Sequence, residues 1–116
     1  MGIVVLNYTG FGRLLPEINK AIGRYPKKTS ITKKSDGGGW EFLRAAKKKG
    51  LPTKEVRVVG VNRGYCVHDT VCDLIDSFAV GKIHVVEKAT WADYDQAGQL
   101  IKLKNLSERC NKIKIV

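Results

Sequence analysis

The stretch VVGVNRGYCVHDT, Val58 to Thr70, decides the fold. Val56 to Val61 (VRVVGV) is a β-branched apolar run and reads as a buried strand. Asn62 to Tyr65 (NRGY) is a tight connection, Cys66 to about Val80 reads as a helix ended by Gly81, and Lys82 to Val86 (KIHVV) as the next strand. Strand, short turn, helix and strand in that order make a right-handed βαβ crossover, so the two strands should be parallel neighbours.

The same alternation extends in both directions. Gly2 to Leu6 (GIVVL) is a continuous apolar run suited to a central parallel strand. Asn7 to Gly12 (NYTGFG) is turn chemistry, and Pro16 suits the first turn of a helix to about Arg24, with Leu15, Ile18 and Ile22 at helical spacing. Thr29 to Thr32 is a short strand at best, and Lys33 to Gly39 (KKSDGGG) is a loop. Trp40 to Lys49 is helical, with Phe42, Ala45 and Ala46 on one face and Gly50 as its stop. Beyond the central unit, Trp91 to Leu106 has helical spacing in Ala97, Leu100 and Ile101, and Ile113 to Val116 (IKIV) reads as a last strand. The expected fold class is α/β: a single three-layer, Rossmann-like domain over residues 1–116, with a mostly parallel sheet and helices on both faces.

Composition narrows the function classes. The 116 residues suffice for one domain, and 43% hydrophobic with 28% charged residues suits a globular chain. No apolar segment approaches the roughly 20 residues that span a bilayer, and no basic run precedes the first apolar stretch, so a cytoplasmic protein without membrane association is expected. Cys66, Cys72 and Cys110 form no CxxC and are expected to be free thiols. His68 and His84 are the only histidines, so no metal site is expected, and no cofactor.

The protein is basic, with a net charge of +10, and the excess is localised. Between Arg24 and Lys54 ten basic residues stand against Asp36 and Glu41, which supplies eight of those ten charges. Such a surface concentrates anions and could bind nucleic acid, although few aromatic residues interleave to stack bases, and a plain solvated face fits as well.

Three motifs carry chemistry. GFGRLL (Gly10 to Leu15) follows a strand but lacks the third glycine of a dinucleotide fingerprint. GGGW (Gly37 to Trp40) opens a helix, so Lys33 with the N–H groups of Gly38 and Gly39 is an anion-binding candidate, against the alternative of a simple flexible loop. Cys66 is the most pointed. It follows Gly60 by six residues, at the C-terminal end of a strand and the mouth of a helix, where ligands bind in open α/β sheets and where the helix dipole favours a thiolate. A small buried residue at a helix start is the competing reading.

VVGVNRGYCVHDT resembles the nucleophile segment of the isochorismatase-like cysteine hydrolases, which include nicotinamidases: a strand, Gly, six residues to Cys, then Val, two variable residues and Thr. KIHVVEKAT (Lys82 to Thr90) is similar to the strand that follows, and GGGWEFLRAAKKKGL to the helix that comes before. The resemblance implies that Cys66 attacks the carbon of a small amide or related C–N or C–O substrate, anionic if the lysines bind it. Lys34, or Lys33 one position earlier, would stabilise the thiolate. The oxyanion hole would lie at the Cys66 N–H and the Val61–Asn62 turn, the Val61–Asn62 bond being the candidate for a cis peptide. It also implies that homo-oligomers can form.

Departures accompany it. Asn7 stands where the family carries a catalytic aspartate, and an amide cannot accept a proton, a loss of ~10² to 10⁴ in rate for a missing general base. The chain is short and lacks the loops bearing the metal-binding histidines of nicotinamidases. Arg63 and Gly64 occupy turn positions where the family commonly has Thr and Asp. Two readings follow: a thiol-dependent hydrolase, or an inactive relative, a pseudoenzyme, whose Arg24–Lys54 surface binds nucleic acid, a nucleotide or a protein.

Overall fold

The computed structural model describes residues 2–8 and 16–116; the GFGRLL motif and the turn after Tyr8 lie outside them. In chain order the elements are β1 (Ile3–Tyr8), α1 (Pro16–Ile22), β2 (Lys28–Lys33), α2 (Gly39–Lys49), β3 (Glu55–Val61), α3 (His68–Ile75), β4 (Lys82–Trp91), α4 (Gln96–Arg109) and β5 (Ile113–Ile115). The fold is α/β, and all strand pairs among the described residues are parallel.

The expected single sheet takes the form of two ladders, β1–β2 and β3–β4–β5. In the first, Asn7 lies beside Thr32 and Tyr8 beside Lys33. The TSIT segment is therefore a full partner of β1, its β-branched residues held in a parallel ladder. In the second, Val58 pairs with Val85 but Gly60 with Thr90, so β4 bulges between the two. That bulge lengthens β4 to Trp91 and moves the start of α4 to Gln96, where the Asp95 side chain accepts a hydrogen bond from the Gly98 N–H.

The core explains the alternation along the strands. Val56, Ile83, Val85 and Ile113 point inward and are buried, while Glu55, Arg57, Lys82 and Lys114 point outward and are exposed. Val67, Val71 and Leu74 before and along α3 and Leu103 on α4 complete the cluster, with Phe42 and Leu43 of α2 packed against it. Helix α3 ends at Ile75, five residues earlier than the apolar spacing to Val80 suggested. Its last turn is closed by the Lys112 ammonium, which donates to the carbonyls of Ile75 and Ser77 at 3.0 Å each. The chain then turns through fully exposed Phe78.

Candidate active site

Cys66 lies in a five-residue π-helical turn, Arg63–Val67, that joins β3 directly to α3. Asn62 opens it in the left-handed conformation, φ 59°. Every peptide bond among the described residues is trans, so the Val61–Asn62 cis bond is corrected: the reversal is made by the backbone angles of Asn62, whose carbonyl accepts from the N–H groups of Tyr65 and Val67. Val61 itself is exposed and pairs with Trp91.

Three tethers hold this turn. The Arg63 side chain is buried, and its Nε donates to Thr90 Oγ1 at 2.9 Å while Nη2 donates to the Thr90 carbonyl at 2.6 Å. The Gly64 N–H donates to Gln99 Oε1 at 2.8 Å, and Lys102 Nζ donates to the Gly64 carbonyl at 2.7 Å. A side chain at position 64 would not fit, since its Cβ would lie 2.8 Å from Gln99 Cγ. Arg63 and Gly64 are thus what fastens the thiol-bearing turn to β4 and α4. Tyr65 packs beside Tyr94, ring centroids 6.3 Å apart, and Lys102 lies over the Tyr65 ring.

The opposite wall comes from the other ladder. Tyr8 and Lys33 end β1 and β2 side by side, and the Lys33 ammonium sits 4.2 Å from the centre of the Tyr8 ring. Lys33 is 5% exposed, and it donates to the carbonyls of Ser35, at 2.9 Å, and Asp36. These bonds fold the loop back so that Asp36 Oδ1 lies 3.9 Å from Cys66 Sγ, with the thiol as donor. The Tyr8 hydroxyl lies close enough to the same carboxylate to feel its charge. Desolvation at the strand end, then the charge and hydrogen bond of Asp36, then Cys66, raise the Tyr8 pKa, so the phenol stays protonated.

Of the residues that the sequence singled out, Cys66 and Lys33 converge here, while Lys34 is exposed beyond the end of β2. Asn7 neighbours Tyr8 on β1 and by strand alternation faces the other way, alongside Thr32. The N–H groups of Gly38 and Gly39, considered for an external anion, donate to Thr70 Oγ1 and Asp73 Oδ2 of α3, each at 3.0 Å. A Cβ on Gly39 would lie 2.3 Å from Asp73 Cβ. The glycines let the start of α2 press onto α3, where Gly38 holds the Thr70 hydroxyl and Gly39 the chain's own Asp73 carboxylate.

A cleft beside the thiol is lined by Asp36, Trp40, Glu41, Asp69, Cys72 and Asp73. Desolvation, then Asp69 and Asp73, push the Cys72 thiol up. Desolvation also raises Asp73, against the lowering bond from Gly39, with Glu41, Asp69 and Asp76 adding to the rise. Both histidines have acidic partners, His68 with Asp69 at 2.9 Å and His84 with Glu55 at 3.5 Å, and among the described residues no group of three or more His, Cys, Asp or Glu side chains is placed to hold a metal ion. Lys47, Lys48 and Lys49 end α2, and Lys28 starts β2, at the edge of the fold where strands begin, opposite to Cys66. None of the helices among the described residues is long and apolar enough to cross a membrane.

Sequence reasoning missed Tyr8 and Asp36. Both had a signal: Tyr8 sits one position past Asn7 on an alternating strand, and Asp36 is the lone acid in KKSDGGG.

No protein-family model matches the chain, and no curated protein matches it. Among solved structures it is similar to the nicotinamidase of Staphylococcus aureus, with a TM-score of 0.70 and 17% sequence identity, over 97% of this chain and 72% of that one. At that identity the likeness speaks for architecture, and it agrees with the resemblance carried by the Cys66 segment: the chain has the isochorismatase-like α/β fold.

Proposed function

We propose that the protein is a cysteine-dependent hydrolase of small amides or related C–N and C–O substrates, with Cys66 as nucleophile. One observation carries the reading: the half-buried Cys66 thiol sits where β3 turns into α3, at the C-terminal edge of parallel strands, within reach of groups brought by β1 and β2. That edge is where open α/β sheets bind ligands, and a fixed turn with buried tethers pre-positions the sulfur.

In this reading the substrate's acyl carbon approaches Sγ, and the Cys66 N–H serves the developing oxyanion, since the N–H groups of Gly64 and Tyr65 already donate to Gln99 and to the Asn62 carbonyl. The Lys33 charge lies at the strand ends behind Tyr8, and it orders the loop that closes the site. Four carboxylates along the neighbouring cleft favour a neutral or cationic substrate over the anionic one that the lysines suggest. The chain's fold likeness to a nicotinamidase agrees with a C–N bond as the target.

The test is acyl capture. The protein is incubated with a panel of small amides and esters and its cysteine peptides are weighed, with Cys66→Ser as control. An acyl adduct at Cys66 alone, with hydrolysis lost in Cys66→Ser, is the expected result. Alkylation supplies an independent arm: Cys72, its thiol pushed up by burial and by Asp69 and Asp73, should need a higher pH than Cys66 to react. No adduct, together with alkylation of Cys66 no faster than that of Cys110, would sink the hydrolase reading.

A further inference from the structure

We propose that Asp36 is the proton acceptor of Cys66, filling from the loop after β2 the role that Asn7 cannot fill from the end of β1. The assignment rests on Cys66 being the nucleophile.

Four observations converge on it. The carboxylate is 3.9 Å from the sulfur and accepts the thiol's hydrogen bond. The loop that bears it is fixed, because the buried Lys33 ammonium donates to the carbonyls of both Ser35 and Asp36. The Tyr8 phenol lies beside the same carboxylate, and since it stays protonated it does not compete for the cysteine's proton. Finally, Asn7 lies on the strand face turned away from Tyr8, and its amide has no proton affinity to offer. The groups facing Asp36 are Tyr8 of β1, Lys33 of β2 and Cys66 of the turn, with Glu41 of α2 and Asp69 and Asp73 of α3 along the cleft it shares.

The step balances without any further reagent. As Sγ attacks the acyl carbon, its proton passes to Asp36 and the carbonyl electron pair moves to oxygen. Collapse re-forms the carbonyl and breaks the C–N bond, and the leaving nitrogen takes the proton back from Asp36. Water then attacks the thioester, giving a proton to Asp36, and the C–S bond breaks as the sulfur regains that proton. The net change is amide plus water to acid plus amine.

Iodoacetamide is the probe, because it reads the sulfur without needing the substrate. Alkylation rates at Cys66 are measured by peptide mass from about pH 4 to 9 in the parent, Asp36→Asn, Asp36→Glu, Tyr8→Phe and Asn7→Asp. The parent should show a low-pH shoulder of reactivity at Cys66 that Cys72 and Cys110 lack. Asp36→Asn should lose that shoulder, with a drop of roughly 10²-fold near pH 6, the lower end for a general base. Asp36→Glu should recover part of it, and Tyr8→Phe should weaken it while leaving the carboxylate in place, which keeps the question answerable if Asp36→Asn folds poorly. An unchanged profile in both Asp36→Asn and Tyr8→Phe, with Cys66 still faster than Cys72 and Cys110, would overturn the Asp36 role and leave the nucleophile standing. A gain in Asn7→Asp with no loss in Asp36→Asn would return the role to β1. If all three cysteines react alike in every variant, the nucleophile reading falls and the base with it.

Discussion

Asp73 shows how opposing forces on one side chain can be read from the direction of its titration. Its carboxylate accepts the Gly39 N–H, which favours the charged form, yet burial and the neighbouring Glu41, Asp69 and Asp76 win and raise its pKa. A carboxylate raised in the folded state binds a proton more tightly there than in the unfolded chain. Its ionisation therefore costs stability once pH rises above the folded value, and costs nothing below the unfolded value of about 3.9. Asp73→Asn keeps an oxygen to accept from Gly39 and removes the charge. It should unfold at a higher urea concentration than the parent at pH 7, with the difference closing as pH falls toward 3.5; a loss of stability at pH 7 would show that the charged hydrogen bond outweighs burial. At this scale the position of Cys66, between the end of β3 and the next helix, was legible in the sequence, and what depends on contact was not. Nothing in KKSDGGG says that Asp36 folds back onto a thiol thirty residues away, because that geometry is set by Lys33 bonds to loop carbonyls.

At the scale of elements, the approach of α2 to α3 is the critical contact. Alanine is the better helix former by about 1 kcal/mol, so propensity alone would make Gly39→Ala stabilising. Its Cβ would instead meet Asp73 Cβ at 2.3 Å and the Thr70 carbonyl at 2.9 Å, neither of them the free end of a flexible chain. Overpacking of that kind costs roughly 1–3 kcal/mol, so a net loss in urea unfolding is expected, accompanied by altered Cys66 reactivity because Asp36 and α2 share the same loop. The order of strands and helices was readable from apolar runs and breakers, from GIVVL through IKIV. Element ends were not. Helix α3 stops at Ile75 because Lys112, thirty-seven residues on, caps it, and β4 runs on to Trp91 because a bulge re-pairs it with Gly60.

For the whole molecule, the buried cluster lies between one face of the β3–β4–β5 ladder and helices α3 and α4, while Val59 and Val61 on the other face of β3 stay exposed. Truncation should therefore cost very different amounts on the two sides of a single helix. Leu103→Ala, at 1% exposure, should lose about 2–5 kcal/mol, whereas Ile101→Ala, at 56%, should stay within about 0.5 kcal/mol. Thermal or urea unfolding of the pair checks it, and similar losses in both would mean that something covers the outer side of α4. The two ladders bear on chemistry as well. Cys66 belongs to the β3–β4–β5 half, Tyr8, Lys33 and Asp36 to the β1–β2 half, and the halves are joined where Gly38 and Gly39 bond to Thr70 and Asp73. The sulfur and the carboxylate thus meet across a seam, and their separation gauges how firmly the seam is shut. A chain whose seam breathes would keep its secondary structure and part the proposed Cys66–Asp36 pair, so a silent thiol would signal a slackened joint in an otherwise folded protein.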